Sequence, residues 1–175
     1  MFFIRKANPE YYADIANIHF KSWHAAYLDL LPVSYINDKN NLCNKTKMWQ
    51  ELIAHPDVIV WIAYDAHHHN LGFISYFINN KNYEITTLYV LPDYQGLGIG
   101  TQLMTASLQA LLESHIHAHF YLWVLENNVA AIDFYQKFGF VGNGEKSEEC
   151  YKSIQIIDIK MVRYLDGLAL YNLTS

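Results

Sequence analysis

The residues with the clearest chemical purpose are three glycines at alternate positions, Gly96, Gly98 and Gly100, with Gln95 before them and Thr101 after. They follow the apolar run Leu88-Tyr89-Val90-Leu91, which stops at Pro92, and they lead without a break into a helical pattern. A strand, a glycine loop and a helix start, in that order, aim several backbone N–H groups at one point, with the positive end of the helix dipole behind them. Such a point takes an anion, most often phosphate. Two phosphate-binding patterns fail here on spacing. A Walker loop puts Lys-Ser/Thr after its last glycine, whereas Thr101-Gln102 stands in that place. A dinucleotide fingerprint reads G-x-G-x-x-G, whereas these glycines read G-x-G-x-G. An ordinary glycine-rich turn at the start of a helix has the same look.

A third pattern, Gln/Arg-x-x-Gly-x-Gly/Ala, is met by Gln95, Gly98 and Gly100. Downstream, Asn128-x-x-Ala131 and Phe134-Tyr135-x-x-Phe138-Gly139-Phe140 form a second motif. In both, the chain resembles the GNAT (GCN5-related N-acetyltransferase) superfamily, from Phe2 to about Tyr164 and most closely from Tyr83 to Phe140. The resemblance implies acetyl-CoA as co-substrate, with its pyrophosphate on backbone N–H groups near Gly96, Gly98, Gly100 and Thr101. It also implies that the strand before the loop splays from the strand at His119–Leu125. That would leave backbone groups of Leu88 and Val90 for the pantetheine amides, with Asn128 reaching the cofactor. Asn128 is equally suited to be a helix N-cap.

Acetyl transfer from a thioester to an amine requires two proton movements. An amine with a pKa like that of lysine, about 10.4, must lose a proton, and the leaving thiolate should gain one. The resemblance implies that Tyr135, the tyrosine of the Phe-Tyr pair, is the general acid beside the sulfur. A buried tyrosine at helical spacing otherwise packs with its hydroxyl hydrogen-bonded. Glu84, six residues before Val90, would share its face by simple strand alternation. It stands where some superfamily members carry a glutamate general base, and the alternative is a strand-end glutamate that orients an amine or pairs with a lysine. Neither Cys43 nor Cys150 has an obvious histidine partner, so direct attack fits better than a cysteine-linked intermediate. Trp23 and Tyr27, with Leu30-Leu31-Pro32 after them, resemble the first-helix region of a GNAT subgroup in which two helices wall the acceptor site. Being four residues apart they share a helix face, suited to cation–π contact with an amine or to the core.

These groups need elements to hold them. The expected strands are Phe2–Lys6, Val58–Tyr64, Leu71–Ile78, Tyr83–Val90, His119–Leu125, a strand starting at Phe140-Val141, and Ile154–Arg163. Helical spacing predicts helices over 9–27, after Pro32, over about 45–54, from Ile99 to near His115, and from Asn127 or Asn128 to Phe138. The order β-α-α-β-β-β-α-β-α-β-β matches the GNAT fold, an α/β (α+β) architecture. It implies a mixed, mostly antiparallel sheet of about seven strands with helices on both faces. One domain over 1–175 is expected, with a patternless tail from 164.

Composition narrows the function classes. The chain of 175 residues is 52% hydrophobic and 17% charged, which suits a well-filled core and not a disordered chain. A net charge of −5 gives no basic footprint for nucleic acid. No apolar run reaches the roughly 20 residues that span a bilayer. The start Met1-Phe2-Phe3-Ile4-Arg5-Lys6 lacks a signal-peptide layout, and two cysteines without a C-x-x-C pair suit the cytoplasm. His67-His68-His69 and the spaced His115, His117 and His119 have no accompanying carboxylate or cysteine pattern, so no metal is expected. The expectation is an acetyl-CoA-dependent N-acetyltransferase acting on a primary amine of a small molecule or peptide. The alternative is a non-catalytic acyl-CoA-binding or regulatory module of the same fold. A homodimer stays open.

Overall fold

In a computed structural model, which describes residues 1–80, 82–114 and 117–166, seven strands form one sheet. They are β1 (Phe2–Lys6), β2 (Val58–Asp65), β3 (Asn70–Asn79), β4 (Asn82–Val90), β5 (His117–Leu125), β6 (Val141–Tyr151) and β7 (Ile154–Asp166). Their order across the sheet is β1-β2-β3-β4-β5-β7-β6, and every neighbouring pair is antiparallel except β4 and β5. The helices are α1 (Tyr12–Tyr27), α2 (Val33–Lys39), α3 (Leu42–Leu52), α4 (Ile99–Ser114) and α5 (Val129–Lys137). The segment between β1 and β2 thus holds three helices where the family order has two, matching the three helical stretches read from the sequence.

Local chemistry explains the boundaries. Asn8 caps a single 3-10 turn, Pro9–Tyr11, and α1 begins only after it, at Tyr12. Asn41 accepts the Asn44 N–H at 3.0 Å and so starts α3 three residues before the expected Lys45. The expected end of α4 at His115, the turn residue Lys81, the His117 side chain and the tail over 167–175 lie outside the described residues.

Two cores flank the sheet. On one face α4 inserts Ile99, Leu103, Met104, Leu108 and Leu111 among Ile74, Tyr76, Ile85, Phe120 and Leu122, and α5 adds Ala131 and Phe134. Each fully buried side chain of this size stabilises the fold by roughly 1.5–3 kcal/mol. On the other face Ile15, Ile18 and Trp49 of α1 and α3 close over Val60, Ile62 and Phe73. No helix among the described residues is long and apolar enough to cross a membrane.

One irregularity decides how the site is built. Ser75 pairs with Thr87 and Tyr76 with Ile85, so Thr86 is an extra residue on β4. The Ser75 hydroxyl pins this bulge, lying 2.6 Å from the hydroxyls of both Thr86 and Thr87. A bulge bends its strand and reverses the alternation beyond it.

Candidate active site

The parallel β4–β5 pairing runs from Asn82 opposite His119 to Ile85 opposite Leu122, and ends at the bulge. Beyond it the strands separate, as the resemblance implied. Leu91 N–H donates to the Leu71 carbonyl at 2.8 Å on the β3 side. Antiparallel alternation therefore turns the backbone groups of Leu88 and Val90 toward the gap. In the gap, the Gln95 side-chain amide donates to the Val90 carbonyl at 3.0 Å.

The glycine loop closes the open end of this wedge. Gly96 and Gly98 have φ of 74° and 82°, a region that side chains disfavour, and a Cβ at either would point into open space. The chain then enters α4, whose first regular hydrogen bond here is Gln102 N–H to Gly98 O. Among the described residues, no backbone N–H from Gly96 through Thr101 has a hydrogen-bond partner. Six free donors at the start of a sixteen-residue helix suit an anion. A cavity of about 440 Å³ joins this loop to Leu88, Val90, Ala131, Phe134 and Tyr135. An unpaired strand edge, an apolar wall and a phosphate-type cradle in one cavity fit an extended amide chain that ends in phosphates.

A second cavity of about 190 Å³ is lined by Tyr27, Thr86, Thr87, Tyr89, Trp123 and Asn128, and it shares Leu88, Val90, Gln95, Ala131 and Tyr135 with the first. The two therefore meet along β4 and Tyr135. Burial pushes the Tyr135 phenol above its ordinary value, with Tyr27 adding to the effect, so the hydroxyl keeps its proton at neutral pH. Tyr27 pairs with the Tyr89 hydroxyl. Trp23 packs on Tyr27 with ring centroids 4.9 Å apart, yet it stands behind the cavity wall and not in it. Asn128 Oδ1 accepts the Ala131 N–H at 3.1 Å, so the side-chain oxygen performs the N-cap role.

Glu84 requires a correction. The extra residue at Thr86 reverses the expected alternation, so Glu84 does not share the face of Leu88 and Val90. It lies across from Phe77 on the α1–α3 side, in a cavity of about 290 Å³ with His19, Ser75, Thr86 and Thr87. The Tyr121 hydroxyl donates to its Oε2 at 3.0 Å. Thr86 and Thr87 line both this cavity and the one beside Tyr135, and so stand between Glu84 and the junction.

Behind Tyr89 lies a group that sequence reasoning missed. The His19 ring stacks on Tyr89, with centroids 4.9 Å apart. Trp49 Nε1–H donates to His19 Nδ1 at 3.0 Å, and Lys45 Nζ lies 3.2 Å from His19 Nε2. An indole N–H can only donate, so Nδ1 accepts and the neutral ring carries its proton on Nε2. That proton points at Lys45 Nζ, which can accept it only as a neutral amine. Burial, with Lys45 adding, pushes His19 down to about 3, and burial lowers Lys45 to about 8. Only the helical spacing of His19 with Ile15 and Ser22 hinted at burial. The lysine gave no signal.

The remaining histidine group is a turn. Asp65 Oδ1 accepts the backbone N–H groups of His67 and His69, and Oδ2 lies 3.0 Å from His69 Nδ1.

The profile of the acetyltransferase (GNAT) family matches residues 13–140. The chain belongs to that family. It is 29% identical over 140 residues to the uncharacterized N-acetyltransferase YuaI of Bacillus subtilis (strain 168), across 77% of this chain and 78% of that protein. It is 39% identical over 75 residues to the spermine/spermidine N(1)-acetyltransferase of the same strain, across 42% of this chain and 49% of that protein. The fold superposes with a TM-score of 0.77 on the PaiA N-acetyltransferase of Thermoplasma acidophilum in complex with coenzyme A. That match has 23% identity and covers 93% of this chain and 98% of the other. As a GNAT family member the chain is an N-acetyltransferase with acetyl-CoA as donor.

Proposed function

We propose that the chain acetylates a primary amine by direct attack in the wedge between β4 and β5. The carrying observation is the run of unpartnered N–H groups from Gly96 to Thr101 at the open end of that wedge, with Tyr135 where the two cavities meet. In this reading Gly96, Gly98, Gly100 and Thr101 hold the pyrophosphate, and Gln95 yields the Val90 carbonyl to the pantetheine arm. Leu88 and Val90 pair with its amides as a neighbouring strand would. Acetyl-CoA supplies the activated acetyl group. The acceptor nitrogen enters through the cavity bounded by Tyr27 and Tyr89, with Trp23 behind as support. The new N–C bond forms as the C–S bond breaks, and the Tyr135 hydroxyl donates its proton to the leaving sulfur. The proton lost by the amine passes to Glu84 through water in the cavity behind Thr86 and Thr87. Asn128 acts on the cofactor by fixing the start of α5, and so the position of Tyr135.

The acceptor in this reading is a small molecule or a peptide N-terminus. Residues 1–175 act as one domain. Two exposed, unpaired cysteines support a cytoplasmic location, and light scattering decides whether the protein is a homodimer. Calorimetry with coenzyme A and release of free thiol from acetyl-CoA over a panel of amines test the proposal. The expected result is binding together with amine-dependent thiol release. Binding without release under any amine would turn the reading to a non-catalytic acyl-CoA-binding module.

A further inference from the structure

Among the described residues two serines are buried inside helices, and their hydroxyls differ. Ser107 on α4 donates back to the Leu103 carbonyl of its own helix at 2.7 Å and lies 2.6 Å from the Tyr76 hydroxyl. A helical serine commonly satisfies itself in this way. Ser22 on α1 does not. It is 1% exposed, and among the described residues its Oγ has no hydrogen-bond partner. A buried hydroxyl left so costs the fold stability, and a group arriving from outside relieves that cost.

Ser22 lines the cavity of about 190 Å³ beside Tyr135 and not the one of about 440 Å³ that ends in the glycine loop. Its counterpart therefore belongs to the acceptor and not to the cofactor. Other polar side chains on that wall are engaged. The Thr86 and Thr87 hydroxyls lie on Ser75, Tyr27 on Tyr89, the Gln95 amide on the Val90 carbonyl and Asn128 Oδ1 on the Ala131 N–H. His19, one turn before Ser22, has both ring nitrogens occupied, by Trp49 and Lys45. It is no base for the Ser22 hydroxyl, which is left to bind and not to attack.

We infer that Ser22 Oγ accepts one N–H of the acceptor nitrogen, and that this contact selects primary over secondary amines. The inference rests on the acetyl-transfer reading above. A neutral primary amine carries two hydrogens and a lone pair. The lone pair forms the N–C bond while the C–S bond breaks and the sulfur takes the Tyr135 proton. One hydrogen leaves as a proton toward the water behind Thr86 and Thr87. The other stays as the amide N–H of the product, and Ser22 holds the one that stays. A secondary amine has only the hydrogen that must leave, so its product presents carbon to a hydroxyl that needs a hydrogen bond. A site built around a hydrogen bond rejects the analogue that lacks it.

The test compares thiol release with n-hexylamine and with N-methylhexylamine, and with every other panel amine that reacts and its N-methyl derivative, on wild type and S22A. In wild type the primary amine should lead in kcat/KM, and S22A should shrink that lead by roughly tenfold. A lead undiminished in S22A overturns the contact. So does a loss shared equally by the two amines, which is what a packing role would give. The fold supplies a second check. Because Ser22 has no internal partner, S22A should unfold at or above the wild-type temperature, and a fall of several degrees overturns the premise. Product binding separates the contact from catalysis. With coenzyme A present, calorimetry should show wild type binding N-hexylacetamide roughly tenfold more tightly than N-methyl-N-hexylacetamide, and S22A binding the two about equally. If no amine releases thiol, acetyl transfer is refuted and the two amides decide alone. A preference lost in S22A then upholds the contact, while the same preference in both proteins, or none in wild type, overturns it.

Discussion

Tyr135 and Glu84 are both ionisable, and their surroundings give them different standing. Tyr135 lies where two cavities join and keeps its proton, as a donor to a leaving thiolate should. Replacing it with Phe should lower kcat by about a hundredfold with coenzyme A affinity nearly unchanged, read by steady-state kinetics and calorimetry. Unchanged turnover would remove the acid role. Glu84 already has a hydroxyl partner and acts at one remove, so E84Q should alter the pH–rate profile. An unaltered profile would move the base elsewhere. The buried pair behind them makes a prediction about stability. As pH falls below 6.5 the unfolded chain protonates His19, whereas the folded chain resists until about 3. Stability should therefore drop by about 2 kcal/mol between pH 6.5 and 5, measured by urea unfolding. Lys45 acts in the same direction at higher pH. Its folded value near 8 lies below the ordinary 10.5, so the unfolded chain holds more protons between them and stability rises over that interval. Lys45→Met should remove that rise.

At the scale of elements, the loop and the bulge perform the positioning. Gly98→Ala forces a side chain into the left-handed region at a cost of about 1 kcal/mol or more, and the shifted loop amides should weaken coenzyme A binding in calorimetry. Both glycines were legible in the sequence because their spacing is itself the signal. So were six of the seven strands, since β-branched and aromatic runs bounded by turns have one plain reading, whereas of β6 only the start at Phe140-Val141 was read, because Gly142 to Cys150 carries no such run. The bulge was not legible. Nothing in Glu84-Ile85-Thr86-Thr87 marks one residue as extra, because the extra residue is defined by its pairing with Ser75 on another strand. The face assigned to Glu84 failed for that reason alone. The pairing of Lys45 with His19 was hidden for a similar cause, as it depends on α1 and α3 lying side by side. Asn128 was readable as either cap or ligand, and the Ala131 N–H decides how its oxygen is used.

For the whole molecule, coenzyme A should act as a stabiliser. At a hundredfold excess over its Kd, a ligand that binds only the folded form adds about 2.7 kcal/mol. For a chain of this size that corresponds to a rise of roughly 5–10 °C in Tm, which a thermal scan would detect. The sheet's layout gives this a mechanical meaning. Four strands lie on one side of the wedge and three on the other, and just four residue pairs register the two halves across β4 and β5. That short seam is where the sheet should part first under load. A cofactor lodged along it works as a rivet, and its departure leaves the two halves held by that short seam and by the α4 side chains packed across it.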